Sequence, residues 1–124
     1  MLLEITEPAL LIRISKLHRA NMPALSLYEA TRGVWKIGKA RDSAQYALAV
    51  AGGIVQEVFA IGAWLPAGTA VYKTRQQKET NIPGRWEFTG RVADTAIRSK
   101  YVGKSVAHYF ANGNSNPINY VNIK

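Results

Sequence analysis

Tyr46-Ala-Leu-Ala-Val50, Ala51-Gly52-Gly53 and Ile54-Val-Gln-Glu-Val-Phe-Ala-Ile61 form the stretch that decides the fold. Two strand-like runs flank a glycine pair, and glycine supplies the positive φ of a tight turn, so the segment predicts an antiparallel hairpin. Side chains alternate along a strand, which puts Tyr46, Leu48 and Val50 on one face and Ala47, Ala49 and Ala51 on the other. A face of alanines lets a helix, another backbone or a flat ligand come close, a helix being the commoner occupant. The second strand is apolar on both faces except at Glu57, which places it centrally in a sheet.

On the N-terminal side, Ala9 to Ile14 reads as a strand and Ser15 to Pro23 as a basic, polar loop. Ala24 to Ala30 sets Leu25, Tyr28 and, more weakly, Ala24 and Leu27 at helical spacing, a short helix stopped by Gly33. Gly33 to Ile37 follows as a strand. On the C-terminal side, Trp64-Leu-Pro-Ala-Gly68 reads as a turn, Val71 to Thr74 as a short strand, and Arg75 to Gly84 as a polar loop. Arg85 to Ala93 alternates cleanly, with Trp86, Phe88, Gly90 and Val92 opposite Glu87, Thr89 and Arg91. Asp94 to Tyr101 reads as a helix with Asp94 or Thr95 as N-cap and Gly103 past its end. Asn112 to Pro117 is a turn, and Ile118 to Ile123 a last strand. The order predicts one α+β domain over residues 1–124, a small mixed, partly closed β-barrel with short flanking helices.

Composition limits the partners. The chain has 124 residues, long enough to enclose a core, and 48% of them are hydrophobic. Sixteen Lys and Arg against eight Asp and Glu give a formal charge of +8. A domain this basic attracts phosphate-rich polymers or anionic surfaces. There is no cysteine, which excludes disulfides, thiolate catalysis and cysteine-held metals. Glu4 and Glu7 stand where a signal peptide carries positive charge and then an unbroken apolar run. The longest apolar candidate, Tyr46 to Leu65, is broken by Gly52-Gly53, Gln56, Glu57 and Gly62, so no membrane association is expected and the location reads as cytoplasmic.

The motifs do not assemble a reaction. Gly103-Lys104-Ser105 is the tail of a phosphate-binding loop, but the glycine needed five positions earlier is Arg98. His18 and His108 fall in separate loops without a second ligand at helical spacing, so no metal or other cofactor is expected. Glu57-Val-Phe and Glu87-Phe-Thr lack the lysine of a hairpin nuclease site, and no Gly-x-Ser-x-Gly occurs. The reading is non-enzymatic.

Binding is better supported. Arg32-Gly-Val-Trp35-Lys36-Ile-Gly-Lys39-Ala-Arg41 interleaves four cations with a tryptophan, a composition that suits phosphate and a stacked base. Lys73 and Arg75, continuing to Arg85, make a second basic stretch. Arg98, Lys100 and Lys104 make a third, and Arg13, Lys16, His18 and Arg19 a fourth. Trp35, Trp64 and Trp86 are candidate pocket aromatics, with Arg32, Lys36 and Arg85 around them. The competing reading makes the tryptophans core and the cations a solvated face.

Tyr28-Glu-Ala-Thr-Arg-Gly-Val-Trp35-Lys-Ile-Gly, Tyr46-Ala-Leu-Ala-Val, Gly53-Ile-Val-Gln-Glu-Val-Phe to Trp64, Gly84-Arg-Trp-Glu-Phe-Thr-Gly90, Tyr101-Val-Gly-Lys-Ser105 and Asn116-Pro-Ile-Asn-Tyr-Val-Asn122 together resemble a little-characterised bacterial and phage family. Its members occur alone or beside nuclease and restriction-type domains. The element order also resembles PUA-like folds, the superfamily holding ASCH, EVE, YTH and SRA domains. That resemblance implies a small mixed barrel that binds RNA, or DNA carrying modified bases, in the setting of restriction or phage defence, with a nuclease or restriction protein as a companion. The Gly-x-Lys signature of ASCH domains is absent, so the resemblance implies a fold and a ligand class and assigns no residue. Two functions follow as expectations. The first is a nucleic-acid-binding domain recognising a modified or flipped base. The second is a protein-binding module, such as a phage or defence-system inhibitor docking on an acidic surface.

Overall fold

The computed structural model describes residues 2–110 and 116–123. The chain order is β1 (Ala9–Arg13), α1 (Ala24–Arg32), β2 (Gly33–Trp35), β3 (Tyr46–Ala51), β4 (Ile54–Pro66), α2 (Gln77–Thr80), β5 (Trp86–Val92), α3 (Thr95–Tyr101) and β6 (Ile118–Val121). The strands form one sheet in the order β2-β5-β4-β3-β1-β6, curled into a half-barrel with α+β content as expected. β1 runs parallel to β3, and the remaining pairs are antiparallel.

The hairpin forms where the glycine pair demands it. Gly52 and Gly53 have φ of 61° and 76°, the two successive positive values of a tight strand-matching turn. β4 is central and longer than expected. It passes through Gly62, where the register against β5 shifts, and continues to Pro66 opposite Trp86. Trp64 and Leu65 are therefore strand residues and not a turn. A bulge accommodates the glycine and bends the strand, which lets the sheet curl.

Each face of the sheet carries its own core. Leu10, Ile12, Ala47, Ala49, Phe59, Phe88 and Ile118 cluster with Trp35, Ile61 and Trp64. Both edge strands contribute to that cluster, so it fills the concave side. The alanines of β3 leave room there for rings. Tyr28 of α1 lies 5.4 Å from Phe59 and 6.2 Å from Phe88, and Trp64 meets Phe88 edge-on at 5.3 Å. The convex side buries Leu11, Leu48, Val50, Val55 and Val58 against Tyr101 of α3, Ile5 and Val106. A side chain of this kind taken fully from water stabilises the fold by roughly 1.5–3 kcal/mol. Asp94 caps α3, accepting from the Ile97 N–H at 3.2 Å, and Gly103 beyond its end has φ of 84°.

Several expectations are corrected. Val71 to Thr74 is not a strand, and Val71 is 87% exposed. The amides of Lys73 and Thr74 are taken by the Glu29 carboxylate, so no partner strand is needed. In α1, Leu25 is 44% exposed while Glu29, Thr31 and Arg32 are buried, because the helix extends two residues past Ala30 and its buried end is polar but satisfied. The loop expected from Arg75 to Gly84 contains the single turn α2. Most of the turn expected at Asn112 to Pro117 lies outside the described residues. No helix among the described residues is long and apolar enough to cross a membrane.

Candidate nucleic-acid interface

The half-barrel leaves a seam between its two edges. Helix α1 runs into β2 without a loop, which sets Gly33, Val34, Trp35 and Lys36 along one side. The end of β1 with Ser15, Lys16 and Leu17, together with Asn116 and Pro117 before β6, makes the other side. Gly38 donates its N–H to the Tyr120 hydroxyl at 3.3 Å and ties the two sides together. Between them lies a cleft of about 740 Å³. Arg13, Lys16, Lys36, Arg75 and Arg85 line it, and its described lining includes no carboxylate.

A buried polar network builds the wall behind Arg75. The Glu29 carboxylate accepts from the Lys73 N–H at 2.9 Å and from the Thr74 N–H and Oγ1 at 2.6 Å each. Burial pushes its pKa up, but the Thr74 hydroxyl and the two amides outweigh that and hold it below the ordinary 4.5. Glu87 is fully buried and accepts from the Gly68 N–H at 3.1 Å, the Ala70 N–H at 2.6 Å and the Tyr72 hydroxyl at 3.0 Å. Burial, followed by the adjoining Glu87 charge, raises the Tyr72 pKa, so this hydroxyl remains a donor at neutral pH. Neither carboxylate is placed to reach a substrate. Both serve to fold the segment from Gly68 to Thr74 onto the sheet.

That segment delivers Arg75. Its guanidinium donates to the carbonyls of Glu29 at 3.1 Å and Gly33 at 2.5 Å, which locks it across the α1–β2 junction. Its buried Nε has no hydrogen-bond partner among the described residues.

The residues expected to bind separate into groups. Trp35, Lys36, Arg75 and Arg85 line the seam cleft. Trp35 is half-buried, and its indole N–H donates to the Thr31 carbonyl at 2.7 Å. Trp86 pairs with Trp35 across the β2–β5 register but is covered by Arg41, whose guanidinium sits 3.7 Å over the ring. Trp64 belongs to the concave core and to a separate recess beside Asp42 and Gln45. Arg32 is buried, donates to the Phe88 carbonyl at 2.9 Å and stacks near Tyr28 and Tyr72, so it supports the fold from within. Lys39, Lys73 and Lys104 are exposed but outside the cleft lining. Gly103 to Ser105 clamps α3 to the hairpin, with the Gly103 N–H donating to the Val55 carbonyl at 2.8 Å.

Arg13 and Lys16 belong to the cleft, although the sequence singles them out only as a basic cluster. Their signal was a run of cations starting at the last residue of a strand. Two cations outside the cleft form close ion pairs. Arg98 pairs with Glu57 at 2.8 Å, and Lys100 pairs with Glu7. Among the described residues no group of three or more His, Asp or Glu side chains gathers as a metal site requires. No family model matches the chain, and no curated protein or solved structure does so either.

Proposed function

We propose that this chain is a non-catalytic nucleic-acid-binding domain that holds phosphates in the seam cleft. The observation that carries the reading is the gathering of five cations in one cleft. Arg13, Lys16, Lys36, Arg75 and Arg85 share one cleft whose described lining includes no carboxylate. Such a concentration of one sign raises the local field and attracts a polyanion. Trp35, standing among those cations, supplies a flat apolar surface for a base. In its finer form the reading assigns the domain a PUA-like architecture and a ligand base that is exposed, flipped or modified. The curled mixed sheet is compatible with a small barrel-like fold.

Arg13, Lys16, Lys36, Arg75 and Arg85 are the phosphate contacts of this reading. Five such contacts give a log–log salt slope of about −3.5 on a single strand and about −4.5 on a duplex. A mobility-shift titration with single- and double-stranded DNA and RNA at two salt concentrations tests the reading. Binding should weaken with salt and be lost in the Lys36→Glu/Arg85→Glu variant, while Lys104→Glu retains it. Absence of binding at low salt sinks the proposal.

A further inference from the structure

A second recess adjoins the seam cleft. It has a volume of about 290 Å³ and shares Leu17 and Arg75 with the first. Arg19, Asn21 and Ser26 contribute its polar edge, and its described lining, like that of the cleft, includes no carboxylate. Cations therefore line both spaces, with Lys36 and Arg85 in the first, Arg19 in the second and Arg75 in both. Arg75 stands where they meet, fixed by two backbone carbonyls and keeping a buried Nε unpartnered among the described residues.

We infer that the ligand is an extended, unpaired stretch of nucleic acid, with successive nucleotides in the two recesses and the intervening phosphate at Arg75. This rests on the nucleic-acid reading of the seam cleft and specifies its ligand. Recesses of these sizes match one or a few nucleotides, within the hundreds of Å³ typical of small-ligand sites. A paired base offers its face to its neighbours in the stack, so Trp35 inside a recess is reachable by an unpaired base. A mononucleotide would fill the first recess and leave the second, with Arg19, unused.

Fluorescence anisotropy with labelled homopolymer single strands, from dinucleotide to octanucleotide, tests this alongside a duplex of the longest length and an unlabelled mononucleotide competitor. Affinity should rise with strand length until both recesses are filled and then level off, and the single strand should bind more tightly than the duplex. Arg19 is exposed, so Arg19→Glu should leave the fold intact. It should weaken the dinucleotide and the longer strands roughly tenfold at low salt while sparing the mononucleotide. Equal or tighter binding of the duplex overturns this inference and leaves the nucleic-acid reading standing. So does a mononucleotide that competes as well as the longest strand, or an Arg19→Glu variant with an unchanged length profile. Failure of every polymer to bind at low salt overturns both.

Discussion

Tyr72 donates its hydroxyl to the fully buried carboxylate of Glu87 at 3.0 Å, and this pair closes the back of the seam cleft. The hydroxyl occupies the space that a Cβ on Gly33 would need, and that Cβ would also lie 3.1 Å from the Glu87 Cβ. Gly33 is extended, so its requirement is for space. Gly33→Ala should destabilise the fold by about 1–3 kcal/mol. Adding Tyr72→Phe should return part of that loss, which a double-mutant cycle of denaturant melts would measure. Additive losses would mean that the two residues do not share this contact.

Gly52 has the opposite requirement. Its φ is 61°, and a Cβ added there would meet nothing within 4 Å, so it needs backbone freedom and not space. Gly52→Ala should cost about 1–2 kcal/mol, and Gly52→Asn less, because asparagine tolerates the left-handed region. Equal melting temperatures for the two variants would contradict this.

Acid should loosen the wall that carries Arg75. The carboxyls of Glu7 and Glu29 are both held below the ordinary 4.5 in the folded protein, because their hydrogen bonds outweigh the cost of partial burial. A carboxyl with a depressed folded pKa contributes stability that is present above its unfolded value and is lost as pH falls through the folded value. Thermal stability should therefore decline as pH drops below about 4.5. Glu29→Gln should lower neutral-pH stability by about 1–3 kcal/mol and make the acid decline shallower. An unchanged acid profile in that variant would show that the Glu29 contacts to Lys73 and Thr74 do not set it.

Trp35 separates stacking from charge. Trp35→Phe keeps a ring in the cleft but loses the donation to Thr31, whereas Trp35→Leu loses the ring as well. Single-strand affinity should change little in the first and fall in the second by about 1–3 kcal/mol, the range for one base on one aromatic. The salt slope should stay the same in both, since no cation is removed. Equal losses in the two variants would assign Trp35 to the fold alone.

The hairpin, β5 and α3 were legible because local chemistry decides them: a glycine pair, a strict alternation, and an Asp cap with a terminal glycine. β4 beyond Gly62 was not, because a glycine in an apolar run marks a turn or a bulge equally well, and only the partner strand distinguishes them. Val71 to Thr74 misled for a related reason. Its strand-like residues are held by Glu29, a residue more than forty positions away, through backbone bonds that leave no trace in composition. The cleft was half legible. Trp35, Lys36, Arg75 and Arg85 stood out as basic residues beside an aromatic, but their meeting with Arg13 and Lys16 depends on how far the sheet curls. Arg32 looked the same in sequence and is spent inside the protein on Phe88.

The placement of β6 beside β1 governs how this chain can be made. β1 is synthesised more than a hundred residues ahead of β6, and Ala9 to Ile12 are fully buried once the fold is complete. One flank of β1 is covered by β3, but the other waits for Ile118 to Val121. Until those residues are synthesised, a nascent chain carries a bare apolar strand edge, the kind of surface on which chaperones act and neighbouring polypeptides stick.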